Sequence, residues 1–474
     1  MPAPPIRAPL AATLLTCASF APADAQSVPN PVDPIFASWN SDASPGCAVG
    51  VVGTARTQRL LYSKGYGIAN LDYGIPNSPD MVFYVGSVSK QFTAAGIALL
   101  VQDGAISLDD DVRTYVPELP SYDAPITIRH LVHHTSGLRD IYVLMDLAGI
   151  RMEDVLTDED ALALIARQKE LNFSPGTDYL YSNSGYWLLG QIVERVTGES
   201  LREFARKRIF EPLGMTNTHF HDDPGHPIRN RVVSYAPVRD GYRVALLQNF
   251  DKIGAGGLYT TVEDLAKWDA NFTDPKVGGQ PFLDMIHSRG VLASGDTLSY
   301  AFGLTLGEHR GLRTVRHGGS LMGYRAELLR FPDQNLSVIV LCNLGSINPA
   351  PLAERVAGVY LGNIMDPPPD TAARTPQTPR TEQPARQPEP AALDAIAGEF
   401  SSDEVQATYR LERTADGVVL HRRLRDPVPL RAAGPDTYRA ASLVLRFEPD
   451  GAGGFGAFTV QAGRVANIRF SRTR

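Results

Sequence analysis

Residues 85–92 read VGSVSKQF, and the next ten, TAAGIALLVQ at 93–102, keep apolar side chains at helical spacing. Val88, Phe92, Ala95 and Leu99 fall on one face of a helix expected over residues 87–102. Ser87 and Lys90 stand three apart, so their side chains leave the same face. Two readings follow. A serine that opens a helix is an ordinary cap. Alternatively, an amine whose pKa is lowered by burial takes the proton of the serine hydroxyl, and the N–H groups of the helix N-terminus favour an anionic intermediate. What else the chain carries separates the two.

Tyr181-Ser182-Asn183 stands in FSPGTDYLYSNSGYWLLGQIVERVTG (173–198), after a Pro-Gly turn and just before an apolar helix expected over 185–197. A phenol beside a lysine shuttles protons to a leaving group, and the Asn amide can hold a substrate carbonyl and the lysine together. In isolation these residues are a loop tyrosine and a capping asparagine. His317-Gly318-Gly319-Ser320 stands in RTVRHGGSLMGYRAELLRF (313–331). Two glycines on a strand let a substrate backbone come close, and the N–H that follows can face an oxyanion. In isolation they are a Gly-rich bulge.

Taken in order, Ser-x-x-Lys, Tyr-Ser-Asn and His-Gly-Gly resemble the three motifs of the serine β-lactamase and penicillin-binding-protein superfamily. The variation is similar to the class C β-lactamase branch and its D-aminopeptidase and esterase relatives. ITIRHLVHHTSGL (126–138), GAISLDDDVRTYVPELP (104–120), EPLGMTNT (211–218) and GAGGLYTTVEDLAKW (254–268) resemble further landmarks of that family. The resemblance implies a mixed α/β (α+β), transpeptidase-like fold. An antiparallel sheet from the two ends of the first block is flanked by helices, with a helical lobe beside it. It also implies roles: Ser87 as nucleophile, Lys90 as its proton acceptor, Tyr181 as general base and then acid, and Asn183 orienting substrate and Lys90. His317, Gly318, Gly319 and Ser320 line the substrate, with the N–H groups of Ser87 and Ser320 as the oxyanion hole. Ser89 is expected to cap or pack rather than react.

His317 departs from the lysine of the K-T-G motif. A lysine there is a fixed cation for a substrate carboxylate; a histidine, with a pKa of ~6.5, is mostly neutral at neutral pH. The expectation is therefore an ester, amide or D-amino-acid peptide substrate. A true class C-type β-lactamase or D,D-carboxypeptidase, and a catalytically weak cell-wall or peptide-binding protein, are the alternatives. No cofactor and no metal are expected. His219-Phe220-His221-Asp222-Asp223 has zinc-like spacing, but Pro224 interrupts it and it reads as a surface cluster. His130, His133 and His134 read as packed or solvated. No Gly-x-Ser-x-Gly elbow occurs, which removes an α/β-hydrolase.

Four segments are expected: a secretory leader at 1–25, a hydrolase domain at 31–365, a Pro-rich linker at 366–392 and a small β-barrel at 393–474. The leader has Arg7, an apolar run at 8–21 and Ala23-Asp24-Ala25 as a cleavage signal, and implies a released periplasmic or secreted protein. The barrel rests on alternation at Leu443, Leu445 and Phe447 and on hairpin turns at Asp416-Gly417 and Asp450-Gly451. The tail resembles the barrel-like domain of some family relatives, D-aminopeptidases among them. Whether it borders the cleft or mediates assembly stays open, as does the oligomeric state. Net charge of −7 argues against nucleic acid as a partner, and no run suits a membrane span. The partner left is a small-molecule or peptide substrate. With the leader removed, Cys47 and Cys342 remain, either paired or as buried thiols.

Overall fold

The computed structural model describes residues 30–53, 59–245, 249, 253–368, 390–451 and 453–473. The leader and most of the Pro-rich segment lie outside them. Two sheets dominate. The first joins β1 (Cys47–Gly53), β2 (Arg59–Tyr66), β3 (Thr305–His309), β4 (Leu312–Leu321), β5 (Tyr324–Phe331) and β6 (Leu336–Cys342) in the order β3-β4-β5-β6-β1-β2. Every pairing in it is antiparallel. β1 and β6 are buried along almost their whole length, which fits their unbroken Val/Ile/Leu runs: helices cover both faces.

The inner face packs on α1 (Ser89–Gln102), α2 (Ile141–Ala148), α3 (Asn183–Thr197) and α4 (Val262–Ala270), together with short helices and loops between them. α4 lies so near β1 that a Cβ at Gly50 would fall 2.4 Å from Val262 Cγ1. Below it Arg330 is buried against Asp269 at 2.6 Å, and Ser337 donates to the same oxygen at 2.8 Å. The outer face packs on α5 (Pro349–Leu361). Cys47 and Cys342 are register partners on β1 and β6 and form a disulfide, which decides between the two readings of these residues. β3 was not anticipated. Its TLGEH offers one apolar residue and a glycine, too little for a period of two.

β3 pairs only with the first half of β4, so residues 317–321 form a free edge. This edge faces the start of α1, and it positions the site.

The second sheet is all antiparallel: β7 (Gly398–Ser402), β8 (Ala407–Thr414), β9 (Gly417–His421), β10 (Val428–Pro429), β11 (Arg431–Gly434), β12 (Thr437–Ala440), β13 (Leu443–Pro449), β14 (Phe455–Ala462) and β15 (Val465–Arg472). Their order is β10-β9-β8-β7-β15-β14-β13-β12-β11. The two outermost strands are consecutive in the chain, so the sheet curls into a nearly closed barrel. Its inward residues alternate, and Tyr409, Phe458 and Phe470 stack with centroids 4.2 and 5.2 Å apart.

The barrel docks on the segment that begins at Arg139. That guanidinium is fully buried, pairs with Glu404 at 2.6 Å and donates to the carbonyls of Ala466 and Asn467. Asp146 holds Arg422 and Arg425, and Tyr409 donates to the Leu147 carbonyl. Among the described residues no helix is long and apolar enough to cross a membrane.

Candidate active site

The sequence reading placed Ser87 at the first position of the helix. It sits instead in a 3₁₀ turn, Gly86–Val88, that feeds α1. The residue three positions on is nearly eclipsed in such a turn, so Lys90 lies beneath Ser87. Ser89 caps nothing: its hydroxyl donates to Gly86 O at 2.6 Å and accepts from Leu258 N at 3.1 Å, which ties the turn to the adjoining strand.

Two glycines set the turn against the free edge. Gly86 has φ +53°, and a Cβ there would lie 2.7 Å from Ser320 N. A Cβ at Gly319 would lie 1.9 Å from Val85 O and 3.1 Å from Ser87 N. The N–H groups of Ser87 and Ser320 are therefore brought together by close backbone approach, as an oxyanion hole requires.

Lys90 is wholly buried. Its Nζ donates to Ser87 Oγ at 3.2 Å, Asn183 Oδ1 at 2.8 Å and Ala255 O at 2.6 Å. Burial pulls its pKa down to about 7; Asp140 acts against this and the positive charge of Arg464 adds to it. Tyr181 flanks it, with the ring centroid 4.9 Å from Nζ. Burial pushes the phenol pKa well up, with the Ser87 hydroxyl a smaller opposing influence, so Tyr181 is protonated. Its Oη makes no hydrogen bond of regular geometry although Ser87 is near enough to affect it. Asn183 opens α3, and Asp140 accepts from both its backbone N and its Nδ2, at 2.9 and 2.8 Å. The amide is thereby fixed with its oxygen toward Lys90.

His317 is buried on the inner face of β4, its Nε2 3.1 Å from Tyr300 Oη. Burial, then the nearby Lys90, lowers its pKa to about 4, so it is neutral at neutral pH. The structure thus brings Ser87, Lys90, Tyr181, Asn183, His317, Gly318, Gly319 and Ser320 into one place.

His134, expected to be packed or solvated, packs at the site, and sequence reading missed two further participants, Asp140 and Arg464. His134 packs on Tyr181 at 4.2 Å between centroids, and its Nδ1 accepts from Ser182 N at 3.1 Å. Asp140, directly after Arg139, holds Asn183. Arg464, on the β14–β15 hairpin, bonds Asp140 at 3.1 Å and lies 5.8 Å from the Tyr181 ring centroid. The barrel therefore borders the cleft: Arg464 lines a cavity of about 490 Å³ with Ser87, Tyr142, Glu153, Asn183 and Met322. His219 and His221 lie apart from this cleft, 3.4 Å from each other, and Asp222 is ion-paired with Arg202.

The model of the family described as Beta-lactamase matches residues 35–361, which hold the whole first sheet and every side chain of this site except Arg464. The chain belongs to the beta-lactamase family. Within it, a D-aminopeptidase of Gluconobacter oxydans is 28% identical over 403 residues, covering 85% of this chain and 71% of that protein. A D-aminopeptidase of Cereibacter sphaeroides is 31% identical over 299 residues, 62% of this chain and 56% of its own length. The octameric penicillin-binding protein homologue from Pyrococcus abyssi shares the fold, with a TM-score of 0.60 at 23% identity over 90% of this chain and 95% of its own. The D-amino acid amidase of Ochrobactrum anthropi does so over 70% of this chain and 98% of its own, at 0.57 and 21%. This member of the family is a serine hydrolase.

Proposed function

We propose that the protein hydrolyses the amide bond after an N-terminal D-amino acid, through an acyl-enzyme on Ser87, outside the cytoplasm. The observation that carries the chemistry is the Lys90 amine, buried, near-neutral in pKa and 3.2 Å from the serine hydroxyl. Neutral Lys90 takes the Ser87 proton as Oγ attacks the carbonyl carbon. The oxyanion develops against the N–H groups of Ser87 and Ser320. When the C–N bond breaks, the departing amine takes a proton from Tyr181, which regains one from the Lys90 ammonium. Water then enters, gives up a proton by the reverse route, and releases the acid.

Tyr181 is an acid in this scheme from the start. Its raised pKa suits a donor, and the lowered pKa of Lys90 suits the first base. The D-amino acyl reading is supported by the relatives named D-aminopeptidase. Export is supported by the leader-like N-terminus and by the Cys47–Cys342 disulfide, which suits an oxidising compartment. The deciding experiment compares D- and L-alaninamide with the purified protein. Turnover of the D form at least tenfold above the L form is expected; equal turnover, or none of either, overturns the substrate assignment.

A further inference from the structure

Where the barrel meets the helical lobe lies another cavity, of about 530 Å³, which shares no lining residue with the cavity at Ser87. One wall is the segment after the short helix Asp158–Ala166 and supplies Arg167 and Lys169. The other is the end of β7, the turn after it and the start of β8, with Ser402, Asp403, Gln406 and Thr408.

Arg167 is the C-cap of that helix, where a cation ordinarily answers the negative end of the dipole. Its surroundings exceed that role. The Nε is buried and donates to nothing, and among the described residues the guanidinium has no carboxylate partner. Burial lowers its pKa, with Asp160 an opposing influence. The Asp160 carboxylate is itself bonded to the N–H and hydroxyl of Thr157, at the far end of the helix. The acids of the barrel do not answer Arg167 either. Glu404 is held by Arg139 at 2.6 Å and by Lys169 N at 2.8 Å. Asp403 stands at the rim, its side chain 93% exposed, and pairs with Lys169 at 3.8 Å. Across the cavity Ser402 is buried and its hydroxyl has no partner.

Buried donors are almost always bonded, so two unbonded ones in the walls of one cavity need a common acceptor. An oxyanion is that acceptor: the planar fork of a guanidinium fits a carboxylate or a phosphate, and Lys169 adds a second cation beside it. Apart from Ala407 the lining is polar, and the space is far larger than a bare ion. The body that carries the anion is therefore hydroxylated and about the size of a sugar.

We propose that this seam cavity binds an acidic sugar through its carboxylate or phosphate, bridging Arg167 of the lobe and Ser402 of the barrel. Such binding is independent of the reaction at Ser87. The turn it engages also carries Glu404, which takes Arg139 through its carboxylate and Gln168 through its carbonyl, at 3.0 Å. An occupant thus clamps the barrel whose Arg464 reaches Asp140.

The test is calorimetric titration of the full chain, at fixed ionic strength, with glucuronate, glucose 6-phosphate and glucose. One or both acidic sugars should bind at one site per chain with a Kd of about 1 mM, the value of two charge-assisted hydrogen bonds, and glucose at least tenfold more weakly. The acid that binds tells carboxylate from phosphate. Arg167→Gln should weaken the binding at least tenfold, and Arg167→Lys should restore part of it. Binding of neither acid, glucose binding as tightly, or an affinity unchanged in Arg167→Gln overturns the proposal. If Arg167→Gln does not fold, Lys169→Gln decides, because that side chain is 68% exposed and packs little. It should weaken the acidic sugars about threefold or more, and an unchanged affinity overturns the proposal.

Discussion

Replacing Arg464 with glutamine tests how the barrel and Lys90 are coupled. Arg464 bonds Asp140, Asp140 bonds Asn183, and Asn183 bonds Lys90, at 3.1, 2.8 and 2.8 Å. Its positive charge is one of the causes that hold the Lys90 pKa near 7. The two cations lie 4.9 and 5.8 Å from the Tyr181 ring centroid, hence within about 11 Å of each other, and at an effective dielectric of about 20 such a pair interacts by at least roughly 1.5 kcal/mol, or about one pH unit. The sign follows from the base. Lys90 must be neutral to accept the Ser87 proton, so activity rises with pH through its pKa. Losing a cation nearby makes protonation easier and raises that pKa. Loss of the guanidinium also leaves Asp140 uncompensated, which acts in the same direction. The acidic limb of kcat/KM should therefore move from about pH 7 to about pH 8–8.5 in Arg464→Gln, and stay near its original place in Arg464→Lys. The assay is p-nitrophenyl acetate hydrolysis from pH 5.5 to 9.5, with thermal melting as the check on folding. A limb that stays put in a folded Arg464→Gln, or moves to lower pH, refutes the coupling.

Other outcomes follow from single contacts. Gly319→Ala puts a Cβ against Val85 O and pushes the edge strand off Ser87, so kcat should fall at least a hundredfold in the folded variant, the cost of a lost oxyanion donor. Tyr181→Phe should slow acylation by amides by about 10²–10⁴ while sparing the acylation burst with p-nitrophenyl esters, whose leaving group departs without a proton; equal losses of acylation rate on both would contradict its role as acid. Asp269→Ala strands the buried Arg330 and should cost about 3–5 kcal/mol in denaturant unfolding, with a loss under 1 kcal/mol contradicting the pairing. Reducing agent should lower the thermal midpoint, because the Cys47–Cys342 bridge closes a loop with sequence separation 295 and such cross-links are worth about 2–5 kcal/mol.

The residues that meet at the cleft were legible because each lies in a short motif with local consequences. Ser87 and Lys90 depend only on spacing within one turn and helix, and Gly318-Gly319 shows that a backbone must come close. The strands of β1, β5 and β6 were legible from apolar runs. What the sequence hid depends on distant contacts. Nothing near Gly463-Arg464 marks it as more than a hairpin turn; its role comes from Asp140, 324 positions away. Arg139 and Asp140 are adjacent yet serve different ends, one clamping the barrel and the other Asn183, and no periodicity separates those tasks. Ser89 was expected to cap or pack, and it packs: the left-handed Gly86 begins a 3₁₀ turn first and leaves Ser89 facing Leu258.

The central claim is that the Ser87 hydroxyl is the atom acylated, with Lys90 as its base. Intact-mass analysis and peptide mapping after a p-nitrophenyl phosphonate test it most directly. One adduct per chain is predicted, on Ser87, absent in Ser87→Ala and slowed at least a hundredfold in a folded Lys90→Ala. An adduct on any other residue, or undiminished labelling of Ser87→Ala, would contradict it.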